Sequence, residues 1–89
     1  MKAVVTVTGK DNKGIIAKVS AFLCDKGANI EDISQTILGE YFAMIMLIDL
    51  SGVSMELSVL AQECAALGRE IGMAIYVQHE DIFNAMHTI

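Results

Sequence analysis

A chain of 89 residues has room for one small core, and a domain of this size buries only roughly 60–65% of the surface its unfolded chain exposes. Yet 54% of the residues are hydrophobic and the mean hydropathy is +0.52, an apolar surplus that points to contact with another subunit. The net charge of −5 and pI near 4.7 argue against a nucleic-acid partner, and the longest apolar run, Tyr41 to Ile48, is too short to span a membrane.

Residues 2–8 set Val5 and Val7 against Thr6 and Thr8, the alternation of a half-buried strand. Lys10, Asp11 and Lys13 interrupt the N-terminal region, so no signal peptide is expected and the expected location is cytoplasmic. The loop Gly9-Lys10-Asp11-Asn12-Lys13-Gly14 leads into a helix over residues 14–26, where Ile15, Ile16, Val19, Phe22 and Leu23 follow the 3.6-residue period. Asp11 or Asn12 is suited to cap this helix, and Gly27 to close it in the left-handed conformation. A loop that opens a helix offers free N–H groups and partial positive charge, which suits a carboxylate, while Asp11 suits an ammonium. The loop therefore reads as a binding turn rather than a catalytic one. The commonest use of Asp11 and Asn12 in such a place is as turn and capping residues, and that reading stands beside it.

A second strand is expected from Asn29 to Leu38. Its apolar spacing slips between Ile30 and Ile33, and a β-bulge near Glu31-Asp32 would put both isoleucines on the core side. Gly39-Glu40 turns into a third strand, Tyr41 to Leu50, whose centre is apolar on both faces. Such a strand is central, covered on both sides or covered on one and close to a partner on the other. After Ser51-Gly52, Ser54 is predicted to cap a second helix with Glu56 in its first turn. Leu57, Leu60, Cys64, Leu67 and Ile71 form its apolar stripe, and Gly72 ends it. A fourth strand runs from Met73 to Gln78. The tail from Asp81 to Ile89, with Ile82, Phe83, Met86 and Ile89 on one side, predicts a short docked helix.

The order βαββαβ interlocks most simply as an α+β ferredoxin-like sandwich: an antiparallel four-stranded sheet with two helices on one face, plus a short C-terminal helix. Right-handed crossovers put strands one and three in the middle and leave strand two as an exposed edge that invites a second copy. One domain is expected over residues 1–89, with its core in 2–79 and the tail helix in 80–89. Cys24 and Cys64 lie far apart with no CxxC pair, and are expected to be free thiols filling the core. His79 and His87 lack acidic or cysteine partners at metal spacing, so no metal site is expected. Gly9-Lys10 is not a phosphate loop, because no Gly-Lys-Ser/Thr sequence follows. No nucleophile–base–orienter set and no cofactor fingerprint is present, so the chain reads as a non-enzyme without a cofactor.

The stretch Val5-Thr6-Val7-Thr8-Gly9-Lys10-Asp11-Asn12-Lys13-Gly14-Ile15-Ile16, followed by Leu23 and then Gly27-Ala28-Asn29-Ile30, resembles the ACT domain over residues 2–79. The second strand is similar to that of short stand-alone ACT proteins of bacteria and archaea, and the chain is similar also to the halves of the glycine cleavage system repressor. The resemblance implies an amino acid bound at the interface of a homodimer and a regulatory role. It implies that Asp11 contacts the ligand, that Gly14 lets the helix start close by, and that Asn29 hydrogen-bonds the ligand with help from the Ile30 backbone. Gly9 and Asn12 belong to the same ligand loop. Where many members have proline before the last loop glycine, this chain has Lys13, which makes the loop less rigid and more polar. The alternative is an interaction subunit that docks on a larger partner protein without binding a metabolite.

Overall fold

A computed structural model describes residues 1–87. Strand β1 (Lys2–Lys10) runs two residues beyond the alternating segment, because Gly9 and Lys10 still pair with Phe42 and Tyr41. It is followed by α1 (Ile15–Asp25), β2 (Asn29–Leu38), β3 (Tyr41–Asp49), α2 (Leu57–Ile71), β4 (Met73–His79) and α3 (Glu80–His87). The sheet order is β2-β3-β1-β4 with every neighbour antiparallel, the ferredoxin-like arrangement that the element order implies.

The core occupies one face of the sheet. Val5 and Val7 of β1 lie beside Met46 and Met44 of β3, and these meet Ile15, Val19 and Leu23 of α1 and Leu60 and Cys64 of α2. Both long helices therefore cover the same face. Along β3 the burial alternates, with Phe42, Met44, Met46 and Ile48 inside and Ala43 and Ile45 outside. The strand is central as expected, but its outer face is largely open. Short helix α3 packs on β1 and β4, and Val4, which points away from the main core, is also buried.

The irregularity in β2 falls where the apolar spacing slips. Pairing steps from Ile30–Ile48 to Asp32–Leu47 and leaves Glu31 without a partner, which brings Ile30 and Ile33 to the core side. The helix ends follow glycine chemistry. At α1 the Gly27 N–H donates to the Cys24 carbonyl and the Ala28 N–H to the Leu23 carbonyl, a Schellman closure with Gly27 at φ 94°. Gly72, at φ 75°, ends α2.

The helix starts differ from expectation. Neither Asp11 nor Asn12 caps α1: Gly14 holds the N-cap position at φ 77°, and the Asn12 Oδ1 accepts the Lys13 N–H at 2.8 Å instead. Ser54 does not cap α2 either. Val53 and Met55 pack against the core and keep that segment out of the helix, so Glu56 becomes the N-cap and its carbonyl accepts the Val59 and Leu60 N–H groups. Cys64 is buried as expected, whereas Cys24 is exposed, because it lies one residue past Leu23 and turns about 100° away from the buried stripe. In α3, Phe83 is half-buried while Ile82 and Met86 stay exposed; Ile89 lies outside the described residues. No helix among the described residues is long and apolar enough to cross a membrane.

Candidate functional site

The loop between β1 and α1 is fixed by one backbone bond that sequence patterns do not reveal. The Asp11 N–H donates to the Glu40 carbonyl at 2.8 Å, tying the loop to the β2–β3 turn. Asp11 and Asn12 thus stand beside the C-terminal end of the exposed edge strand. Between them, the first turn of α1 and β2 lies a cleft of about 530 Å³. Asp11, Asn12 and Gly14 form one rim, Ile16 and Ala17 the helix wall, and Gln35, Ile37 and Phe42 the sheet wall. All three rim residues are exposed.

Local backbone explains the electrostatics of this cleft. The first intrahelical bond of α1 runs from the Lys18 N–H to the Gly14 carbonyl at 2.9 Å, so the amides of residues 15–17 precede it, and no side chain caps them. These amides and the helix dipole favour negative charge at this end of α1. The Asp11 carboxylate stands in the same rim and favours positive charge. A zwitterion matches such a pair of opposite fields.

Gly9 serves packing rather than the rim. A Cβ there would stand 2.5 Å from Met73 Sδ and 3.1 Å from the Gly72 carbonyl oxygen, so the residue lets β1 approach the start of β4. Asn29 and Ile30 lie at the other end of β2. Asn29 pairs with Asp49, whereas Leu38 pairs with Tyr41 next to the loop, and nine strand steps separate Asn29 from Leu38 by roughly 30 Å. Within one chain the structure brings Asp11, Asn12 and Gly14 together and leaves Asn29 and Ile30 remote. The far end is charged. Lys2 Nζ pairs with Glu31 Oε1 at 2.8 Å, which raises the lysine pKa. The Asp49 carboxylate accepts the Ser51 N–H at 2.9 Å, which lowers its own.

Ile16, Gln35 and Ile37 were absent from the sequence-based site. The available signal was the period-two run Ile33, Gln35, Ile37, which puts all three on the helix side of β2 once the bulge is counted. Other reactive groups are elsewhere. Burial pushes the Cys64 thiol up to about 11, and the His79 Nδ1 accepts the Asp81 N–H at 3.1 Å. Among the described residues no group of His, Cys, Asp or Glu is arranged to hold a metal ion.

An antiparallel sheet of order β2-β3-β1-β4, two helices on one face and a cleft between the first loop and the edge strand define a small ferredoxin-like α+β domain. The sequence profile of the ACT domain family matches residues 2–78, and the chain belongs to that family. A UPF0237 protein of Methanopyrus kandleri is 49% identical over 88 residues, spanning 99% of this chain and 98% of its own. An ACT domain protein from Streptococcus pneumoniae superposes with a TM-score of 0.84 at 42% identity, covering 98% of both chains. A structure assigned as a glycine cleavage system transcriptional repressor matches with a TM-score of 0.75 and 25% identity over 86% of this chain and 44% of that one. ACT domains are typically regulatory ligand-binding domains.

Proposed function

We propose that this ACT domain is a non-enzymatic amino-acid sensor that acts as a homodimer. The observation that carries the reading is the cleft itself, which Asp11 and the uncapped first turn of α1 line together. The Asp11 carboxylate accepts hydrogen bonds from the ligand ammonium, and the first-turn amides of α1 receive its carboxylate.

A second copy supplies the remote half of the family's ligand set. Edge strand β2 carries unpaired N–H and C=O groups, and pairing it antiparallel to β2 of another copy reverses its direction. Each copy's Asn29 then lies beside the other's Leu38 end, next to the other's ligand loop. The roughly 30 Å between Asn29 and Asp11 in one chain is thereby bridged between chains. The test is a titration of the pure protein with the common amino acids. One of them should bind, and Asp11→Ala and Asn29→Ala should each weaken it about tenfold or more, the loss of a charged hydrogen bond. Unchanged affinity in both variants would refute the site.

The outer sheet face supports a second reading. Tyr76 is 63% exposed and Ile45 44%, with Ile82 and Met86 of α3 also exposed. Such a surface suits docking on a larger partner protein without any metabolite. Removal of residues 80–89 should then abolish capture of that partner, and capture at full strength without them would count against the tail.

A further inference from the structure

Resting on the amino-acid reading of the loop–edge cleft, we infer that its ligand is a neutral amino acid with an apolar side chain, selected by Ile16, Ile37 and Phe42. The charge inventory carries this. Among the residues that line the cleft, Asp11 alone is ionisable; Lys10 and Lys13 belong to the same loop but do not line it. The ligand ammonium engages that one carboxylate. A side-chain carboxylate would find no cation in the cleft and would face Asp11 with like charge. A side-chain ammonium or guanidinium would compete with the α-ammonium for the same single counter-ion. Asn29 and Ile30, entering from a second copy, are uncharged, and at the end of β2 that carries them Lys2 and Glu31 are already paired with each other.

The apolar wall gives the positive half of the selection. Ile37 is 58% exposed and Ile16 36%, on facing sides of the cleft, with buried Phe42 as its floor. Ile37 points to the helix side of the sheet, since it pairs with core residue Phe42, yet it stays largely open beside α1. An apolar ligand side chain placed there removes both isoleucines from water. A glycine or serine ligand would leave them exposed, and even a single methylene in an apolar pocket discriminates by about tenfold or more.

The experiment is a calorimetric titration of the wild-type protein and of Ile37→Lys with leucine, isoleucine, valine, methionine, glycine, serine, aspartate, glutamate, lysine and arginine. Because Ile37 is exposed on an edge strand, the lysine leaves the core untouched; a far-UV spectrum and melting curve verify this, and sedimentation verifies that the variant keeps the wild-type oligomeric state. The wild type should bind at least one of the four apolar amino acids about tenfold or more tighter than the other six. Ile37→Lys should lose about tenfold or more for that ligand and gain affinity for aspartate or glutamate. Tightest wild-type binding of a charged amino acid, glycine or serine would overturn the inference while leaving an amino-acid sensor in place. So would an unchanged preference in Ile37→Lys. No binding of any amino acid to the folded wild type would overturn the sensor reading and this inference together.

Discussion

Gly14 and Gly27 both hold positive φ, at 77° and 94°, but their surroundings separate the consequences of adding a side chain. A Cβ at Gly14 meets nothing within 4 Å, so Gly14→Ala carries only the left-handed strain, about 1–2 kcal/mol. At Gly27 a Cβ would run into the backbone carbonyl of Gly52, a group that cannot swing aside. Urea unfolding should therefore show Gly27→Ala losing clearly more stability than Gly14→Ala; equal losses would contradict the close approach of the two loops. The thiols divide in a similar way. Burial disfavours the Cys64 thiolate and lifts its pKa to about 11, so at pH 8 the native protein holds almost none of it, while Cys24 is exposed. A disulfide reagent at pH 8 should modify one thiol per native chain quickly, and Cys24→Ser should abolish that fast phase. Two equally fast thiols would contradict the packing of α2.

At the scale of elements, α2 is fastened to the sheet by Leu60 and Cys64, both essentially inaccessible. Leu60→Ala should cost about 2–5 kcal/mol, measured by denaturant unfolding, since the truncation leaves a void among fully packed neighbours. Strand β2 is the opposite case, exposed along most of its length, with Ile33 on its core side still 40% accessible. Ile33 sits near the middle of β2, where a two-fold strand pairing would cross, and Ile33→Lys should convert a dimer to a folded monomer in analytical ultracentrifugation. Persistence of the dimer would argue for pairing through another surface. Most of this architecture was legible in the residues. Period-two and 3.6-residue spacing marked the strands and helices, and the displaced Ile30–Ile33 interval marked the bulge. The glycine closures at Gly27 and Gly72 were equally plain. The helix starts were not, because capping preference is local while tertiary packing decides: Val53 and Met55, half-buried, pack against the core and delay α2 past Ser54. Cys24 misled for a related reason, since an apolar neighbourhood in sequence does not say which side of Leu23 faces inward.

Across the whole molecule, the candidate site was only half legible. The loop residues Asp11, Asn12 and Gly14 could be read from their place before a helix. Their apolar neighbours on β2 could not, because contact between the loop and the C-terminal end of the edge strand depends on sheet order and on the Asp11–Glu40 bond. Asn29 stands remote from Asp11 in one chain, so the proposed ligand site is built from two copies. Asp11→Ala and Asn29→Ala proteins, unfolded together in urea and refolded as a mixture, test it most directly by calorimetry with the tightest-binding amino acid. Each variant alone should bind about tenfold or more weakly. In the mixture, half the dimers pair unlike chains, and one of their two sites joins an intact Asp11 to an intact Asn29. Wild-type affinity should then return at about one quarter of the wild-type stoichiometry. A mixture as silent as its separate components would contradict a site shared between two copies.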